Sequence, residues 1–342
     1  YVDRLNRKYV MIFSDAFIAV CALVLLVILQ NENVNLIWIY VLLGLRSIGN
    51  AFHTPALQAI APLIVPQSEL IKVAGINQVL HSVCSIGGPA IGTLAIAYLP
   101  ISMVLYLDLI GALLAILSLV MVKIPDLVTK SKSSIHSITT DFLEGFQTIS
   151  KNKGLRYLFL YAMAITFIMM PAAIMFPLLT TGHYAGGKWE MGVIEVVWGG
   201  GMLIGGAILS TFKLKGSKVV AVNVMYVLLG LTFILSGALP ASWFVGFVLT
   251  TAIGGISLSV FNGCFTAIVQ TEVSPDKLGR VFSLYYSLAV LPSVIGLLFT
   301  GLIAEVIGVN ISFIISGCLA ILVGILSFST RNLMQLGKIK NI

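Results

Sequence analysis

Residues 101–123 read ISMVLYLDLIGALLAILSLVMVK. Between Ile101 and the closing Lys123 the only charge is Asp108. As a helix, a run of ~20 apolar residues rising ~1.5 Å each matches the hydrocarbon thickness of a bilayer. No water is available there, so the backbone must satisfy its own hydrogen bonds, and a helix does so. Nine further runs of this kind accompany it, at about 9–30, 35–57, 73–99, 155–179, 190–212, 218–239, 242–270, 281–304 and 309–330. Composition agrees. Of the 342 residues 58% are hydrophobic and 10% charged, and the mean hydropathy is +1.05. A soluble domain carries about 25% charged residues. A soluble enzyme, a disordered chain and a disulfide-stapled secreted domain are therefore excluded. Period-two apolar segments are absent, which excludes a membrane β-barrel. The chain reads as an all-α membrane protein with about ten spans.

The formal net charge of +7 does not point to nucleic acid, because the basic residues are confined to short loops. Of the 20 Lys and Arg, 18 fall in loops on one side. Lys188 stands alone on the other side, and Arg46 lies inside a span. That asymmetry orients the chain with both ends cytoplasmic. The longest loop, 124–154, lies on the basic side. In it Ile138, Phe142, Phe146 and Ile149 recur at helical spacing, with Asp141 and Glu144 near the start, where a helix dipole favours acids. The pattern predicts an amphipathic helix on the membrane surface, or else a site for a soluble partner. The loop separates an N-terminal bundle, 1–123, from a C-terminal bundle, 155–330. A cytoplasmic tail, 331–342, follows.

The two bundles repeat at an offset of about 208. Leu70, Lys72, Val73 and Leu80 match Leu278, Arg280, Val281 and Leu288, and Gly88 matches Gly296. Shifted by one residue, Phe52 and Pro66 match Phe261 and Pro275. Duplicated helical units of this kind are typical of secondary transporters, with the substrate site between the halves. Spans 155–179 and 190–212 find no counterpart, since their partners would precede residue 1. The chain also opens on Tyr1 rather than Met. The expectation is a chain lacking the first two of twelve helices, unable to transport at this length.

Several stretches resemble the major facilitator superfamily. Asp3-Arg4-Leu5-Asn6-Arg7-Lys8 is similar to the end of its charged loop motif after the second helix. Arg46 in Leu45–Gly49 resembles the arginine motif of the fourth helix. Gly88-Pro89-Ala90-Ile91-Gly92 resembles the Gly-Pro motif of the fifth, associated with antiporters. Arg46–Leu57 (RSIGNAFHTPAL), Lys151–Leu155 (KNKGL) and Gly279–Leu284 (GRVFSL) look like the macrolide-efflux branch of the drug:proton antiporters. The likeness runs from the third helix to the twelfth. It implies two pseudo-symmetric bundles, about ten of twelve helices being present, in a bacterial plasma membrane. The second charged loop, Lys213–Lys218, keeps basic residues but lacks the acid.

Charges inside a span cost at least ~2.5–3.5 kcal/mol each at mid-helix, so each needs a reason. Asp15, Arg46, Asp108 and Glu195 are the candidates for proton coupling and substrate binding. Arg46 cannot give up its proton; it is a fixed charge that tunes an acid, or one end of a structural ion pair. Asp15 is a proton carrier, or an acid that caps a helix or pairs with a loop arginine. Asp108 is a proton site, an attraction point for a cation, or a packing hydrogen bond. Glu195, three residues before Trp198, would hold a lipophilic amine through charge and cation–π contact, or is a wet acid at the rim. Phe167, Phe261, Tyr285 and Tyr286 are further aromatics that would line an apolar cavity or face lipid. Asp3, Arg4, Arg7 and Lys8 read as a conformational latch, with Gly279 and Arg280 the second-half loop. Gly88, Pro89 and Gly92 predict a local helix break. Gly199, Gly200, Gly201, Gly205 and Gly206 predict close helix packing.

Other signals fail. Gly182–Lys188 fits GxxxxGK, but Trp189 follows where Ser or Thr is required, and no strand precedes it; ATP driving is rejected. The histidines (His53, His81, His136, His183) show no HExxH, and the cysteines (Cys21, Cys84, Cys264, Cys318) no CxxC. No metal, cofactor or catalytic nucleophile is expected. The reading is a monomeric exporter of small hydrophobic drugs such as macrolides, driven by protons. Alternatives are the same fold carrying a siderophore or lysolipid, or a non-transporting sensor or membrane enzyme.

Overall fold

The computed structural model describes residues 6–30, 35–125, 138–212 and 216–336. Among these there is no strand. The helices are α1 (Arg7–Ile28), α2 (Leu36–Ile64), α3 (Leu70–Tyr98), α4 (Ile101–Met121), α5 (Ile138–Lys151), α6 (Lys153–Leu178), α7 (Lys188–Thr211), α8 (Lys218–Ala238), α9 (Phe244–Glu272), α10 (Leu278–Ile307), α11 (Val309–Ser329) and the short α12 (Arg331–Met334). All ten expected spans are helices. Among the described residues, eight of them (α1, α2, α4, α6, α7, α8, α9 and α11) are long and apolar enough to cross a membrane.

Asparagine side chains set three of the starts. Asn6 accepts from the Lys8 N–H, Asn35 from that of Ile37, and Asn152 from those of Gly154 and Leu155. Each takes up donors that a first turn leaves unbonded. α2 runs seven residues past its expected end and contains Pro55 and Pro62. Its last stretch buries Ala56 and Ile60 against Val10 and Met11 of α1, and that packing holds it helical. α3 likewise continues through Gly88 and Pro89, without the expected break.

The internal repeat is sharper in the elements than in the residues. Adding 208 carries Leu36–Ile64 onto Phe244–Glu272 and Ile101–Met121 onto Val309–Ser329. The same shift takes the 3-10 turn Gln67–Glu69 onto Pro275–Lys277, and Leu70 onto Leu278. α5, α6 and α7 have no counterparts among the described residues.

The chain forms two compact units. The first comprises residues 1–66, 87–146 and 273–284. Here α1 packs against α2 and α4. Cys21, Leu25 and Leu42 make one contact region, with Leu105 against them. The second comprises 67–86, 147–272 and 285–342. Here α8 packs against α9 and α11, and α7 against α9. Small residues let these backbones approach, as in lipid, where helices gain little from hydrophobic burial. A Cβ on Gly230 would meet the Gly317 carbonyl at 2.6 Å, and one on Gly201 would run into that of Ala252.

The turn after α6 is tied down by side chains. His183 Nε2–H donates to the Leu239 carbonyl and Nδ1 accepts from the Asn310 amide. Tyr184 donates to the Ser236 carbonyl and stacks on Phe247 at 4.5 Å. Burial pushes the Tyr184 phenol up to about 12. Glu190 accepts from the Gly187 N–H and caps α7, so the glycine-rich loop serves as a helix start.

Candidate functional site

In the first unit, α2 carries two ionisable groups on one face. Arg46 and His53 are seven residues apart, two helical turns and ~10.5 Å along the axis. Each meets an acid from a neighbouring helix. Arg46 Nη1 lies 2.6 Å from Asp108 Oδ2 of α4. His53 Nε2 lies 3.5 Å from Asp15 Oδ1 of α1. The acid beside Arg46, which either reading of that arginine called for, is Asp108. Pairing removes most of the cost that either charge would have alone in lipid. Asp15 pairs with a histidine rather than with a loop arginine. In the sequence His53 is only one of four scattered histidines, because a histidine carries no formal charge. Its spacing from Arg46 was the available signal.

The start of α1 is anchored through backbone carbonyls. Arg7 is buried and donates to the carbonyls of Ala59 and Pro275. Lys8 donates to the Val120 and Val122 carbonyls at the C-terminus of α4, where a cation complements the helix dipole. Asp3 and Arg4 lie outside the described residues. Arg280, at the start of α10, pairs with Glu144 of α5 at 2.6 Å. Beside that pair, the Arg280 carbonyl approaches Gly145 closely. Among the described residues, nothing lies within 4 Å of a Cβ added to Gly88 or Gly92.

In the second unit a cavity of about 590 Å³ opens among α6, α7, α9 and α10. That volume lies within the ~300–1,000 Å³ usual for small-molecule sites. Its wall includes Met169, Met170, Trp198, Phe261 and Tyr285, and its charged member is Glu195. Thr166 and Asn262 supply neutral polar atoms. Three of the five expected aromatics line it. Phe167 does not, and Tyr286 packs on Tyr285 at 5.4 Å instead.

The aromatic wall is held by ring contacts, with Phe176 itself part of the lining. Phe176 contacts Trp198 at 5.5 Å and meets Phe313 edge-on at 5.1 Å. Gly254 leaves room for the indole, since a Cβ there would sit 2.9 Å from the Trp198 ring. Tyr285 is held by Phe265 at 4.7 Å and Phe159 at 5.7 Å. A flat cation entering here would meet a carboxylate, aromatic faces and flexible thioethers, a surface that adapts to varied apolar shapes. Among the described residues no cluster of His, Cys, Asp and Glu could hold a metal ion.

Residues 1–238 match the family profile described as Major Facilitator Superfamily. The chain is 36% identical over 324 residues to macrolide efflux protein A of Streptococcus pyogenes, covering 95% of this chain and 80% of that protein. It is 35% identical over 296 residues to the protein of that name from Enterococcus faecalis, covering 86% and 92%. The multidrug efflux pump Tap of Mycobacterium tuberculosis is 21% identical over 321 residues, covering 92% and 75%. Among solved structures, the human organic anion transporter MFSD10 superposes with a TM-score of 0.80 at 19% identity, covering 95% and 78%. The Escherichia coli fucose:proton symporter FucP gives 0.73 at 13% identity, covering 96% and 85%. At these identities the structures speak for the fold alone.

Proposed function

The chain belongs to the major facilitator superfamily, a family of transporters rather than enzymes, and on that premise we propose that it exports hydrophobic, cationic drugs such as macrolides in exchange for protons. The observation that carries this reading is the cavity of the second unit, in which Glu195 is the carboxylate of an otherwise apolar and aromatic wall. Such a wall favours an apolar molecule bearing one positive charge. The cargo class is taken from the macrolide efflux relatives, whose lengths the chain covers by 80% and 92%.

In this reading the membrane is the bacterial plasma membrane and the basic loops face the cytoplasm. Protons entering down their gradient supply the work. The voltage part alone is worth ~2.3 kcal/mol per charge per 100 mV. Arg46–Asp108 and Asp15–His53 are the charged groups available to the coupling, and Arg7, Lys8 and Arg280 are the cytoplasmic ties that release as the state changes. The protein acts as a monomer.

The test is accumulation of a labelled macrolide in pump-deficient bacteria expressing the full-length protein, with and without a protonophore. The expected result is low accumulation that rises to the empty-vector level when the proton gradient collapses. Accumulation equal to the empty vector from the outset removes the macrolide assignment. Low accumulation that ignores the protonophore removes the proton coupling.

A further inference from the structure

We propose that Asp15 and His53 together form one proton-binding site, the site that loads and unloads the driving proton. The proposal deepens the antiport reading above and rests on it. Its basis is a charge count along α2. Arg46 is committed to Asp108 at 2.6 Å, and that pair sums to zero. Asp15 is left with His53 at 3.5 Å. With the carboxylate ionised and the imidazole neutral, the pair carries one negative charge. An uncompensated charge at this depth is expensive. Binding one proton brings the pair to zero, either as carboxylic acid against imidazole or as carboxylate against imidazolium. A second proton would take it to plus one and restore the expense. The pair therefore has one favoured occupancy, a single proton.

Among the described residues of α1, α2 and α4, no fixed cation is placed to stand in for that proton. Besides these four groups, α1 carries Arg7 and Lys8, one at its first position and one at its second. They sit ~10–12 Å before Asp15 along the axis, and both donate to backbone carbonyls. The 3-10 turn Pro275–Lys277 also touches α2 and adds Asp276 and Lys277. The remaining titratable groups of α1, α2 and α4 are the phenols of Tyr9, Tyr40 and Tyr106 and the thiol of Cys21. The side chains of Asp15 and His53 are 16% and 22% exposed, so protein encloses most of each and their charge matters. The open apolar groove beside them, about 780 Å³ along α1 and α2, is lined by their neighbours Ser14, Ala16 and Phe52 but by neither of them.

The experiment uses the full-length protein in proteoliposomes, with labelled macrolide uptake driven by an imposed pH gradient. Four forms are compared: wild type, Asp15→Asn, His53→Gln, and the exchanged double variant Asp15→His/His53→Asp. The expected result is at least a tenfold loss of gradient-driven uptake in each single variant. The exchanged variant, which keeps both groups with their places swapped, should recover a third or more of wild-type uptake. In lightly buffered detergent solution, drug addition to wild type should release about one proton per chain, and to His53→Gln none. If wild-type uptake ignores the gradient, the antiport reading fails and this proposal fails with it. If wild-type uptake follows the gradient and His53→Gln matches it within twofold, the proposal alone is overturned. Failure of both single variants without recovery in the exchanged one would mark the pair as a structural tie and overturn it too.

Discussion

Glu195 is the residue whose chemistry is most exposed to test. If it holds the cargo's ammonium, Glu195→Gln removes a charge-assisted contact worth ~1.5–3 kcal/mol, or roughly ten- to hundredfold in affinity. The loss should fall on cationic macrolides and spare neutral analogues of the same shape, which competition binding would reveal; equal loss for both would place Glu195 outside recognition. Tyr184 offers a pH test. An unfolded tyrosine titrates near pH 10, whereas burial pushes Tyr184 up to about 12. The folded state thus holds this proton more tightly, so the contribution is complete below pH 10 and lost as pH rises from 10 to 12. Tyr184→Phe should lower stability at neutral pH by ~1 kcal/mol through the lost bond to Ser236. It should also flatten part of the alkaline decline, as unfolding curves at pH 7, 10 and 12 would show. At this scale the sequence announced Arg46, Asp15, Asp108 and Glu195, because a charge in an apolar run is conspicuous. It did not announce that Arg46 and Asp108 meet, or that His53 meets Asp15. Those pairings join different helices, and single-chain spacing does not reach across them.

Elements were more legible than residues, because one physical requirement, a self-satisfied backbone in lipid, dictates both their type and their length. The ten spans came out as helices with ends displaced by a few residues, except at α2. There the apolar run read from sequence stops at residue 57, while packing on α1 carries the helix to Ile64. The glycines divide into two kinds that sequence alone does not separate. Gly201 faces the Ala252 carbonyl on α9, whereas among the described residues Gly88 has nothing within 4 Å of an added Cβ. Gly201→Ala should therefore cost ~1–3 kcal/mol by overpacking. Gly88→Ala should leave thermal stability near that of wild type. If the bend motif serves movement, Gly88→Ala would still slow transport. A Gly201→Ala protein as stable as wild type would show that the α7–α9 seam yields easily.

For the molecule as a whole, the repeat of element bounds carries a historical consequence. Two copies of a four-helix unit kept their lengths to the residue at most boundaries, while their contents diverged. Adding 208 to Arg46, His53 and Asp108 leads to Gly254, Phe261 and Ser316. The first copy kept ionisable groups where the second holds a glycine that seats Trp198 and a phenylalanine that lines the cavity. On the proposed antiport reading, the duplicates have parted trades, one toward energy and one toward cargo. Under antibiotic selection, changes that broaden or narrow the range of drugs tolerated should accumulate in α6, α7, α9 and α10. Changes that alter dependence on external acidity should accumulate in α1, α2 and α4. Each copy would then be free to drift in its own property without forfeiting the other's.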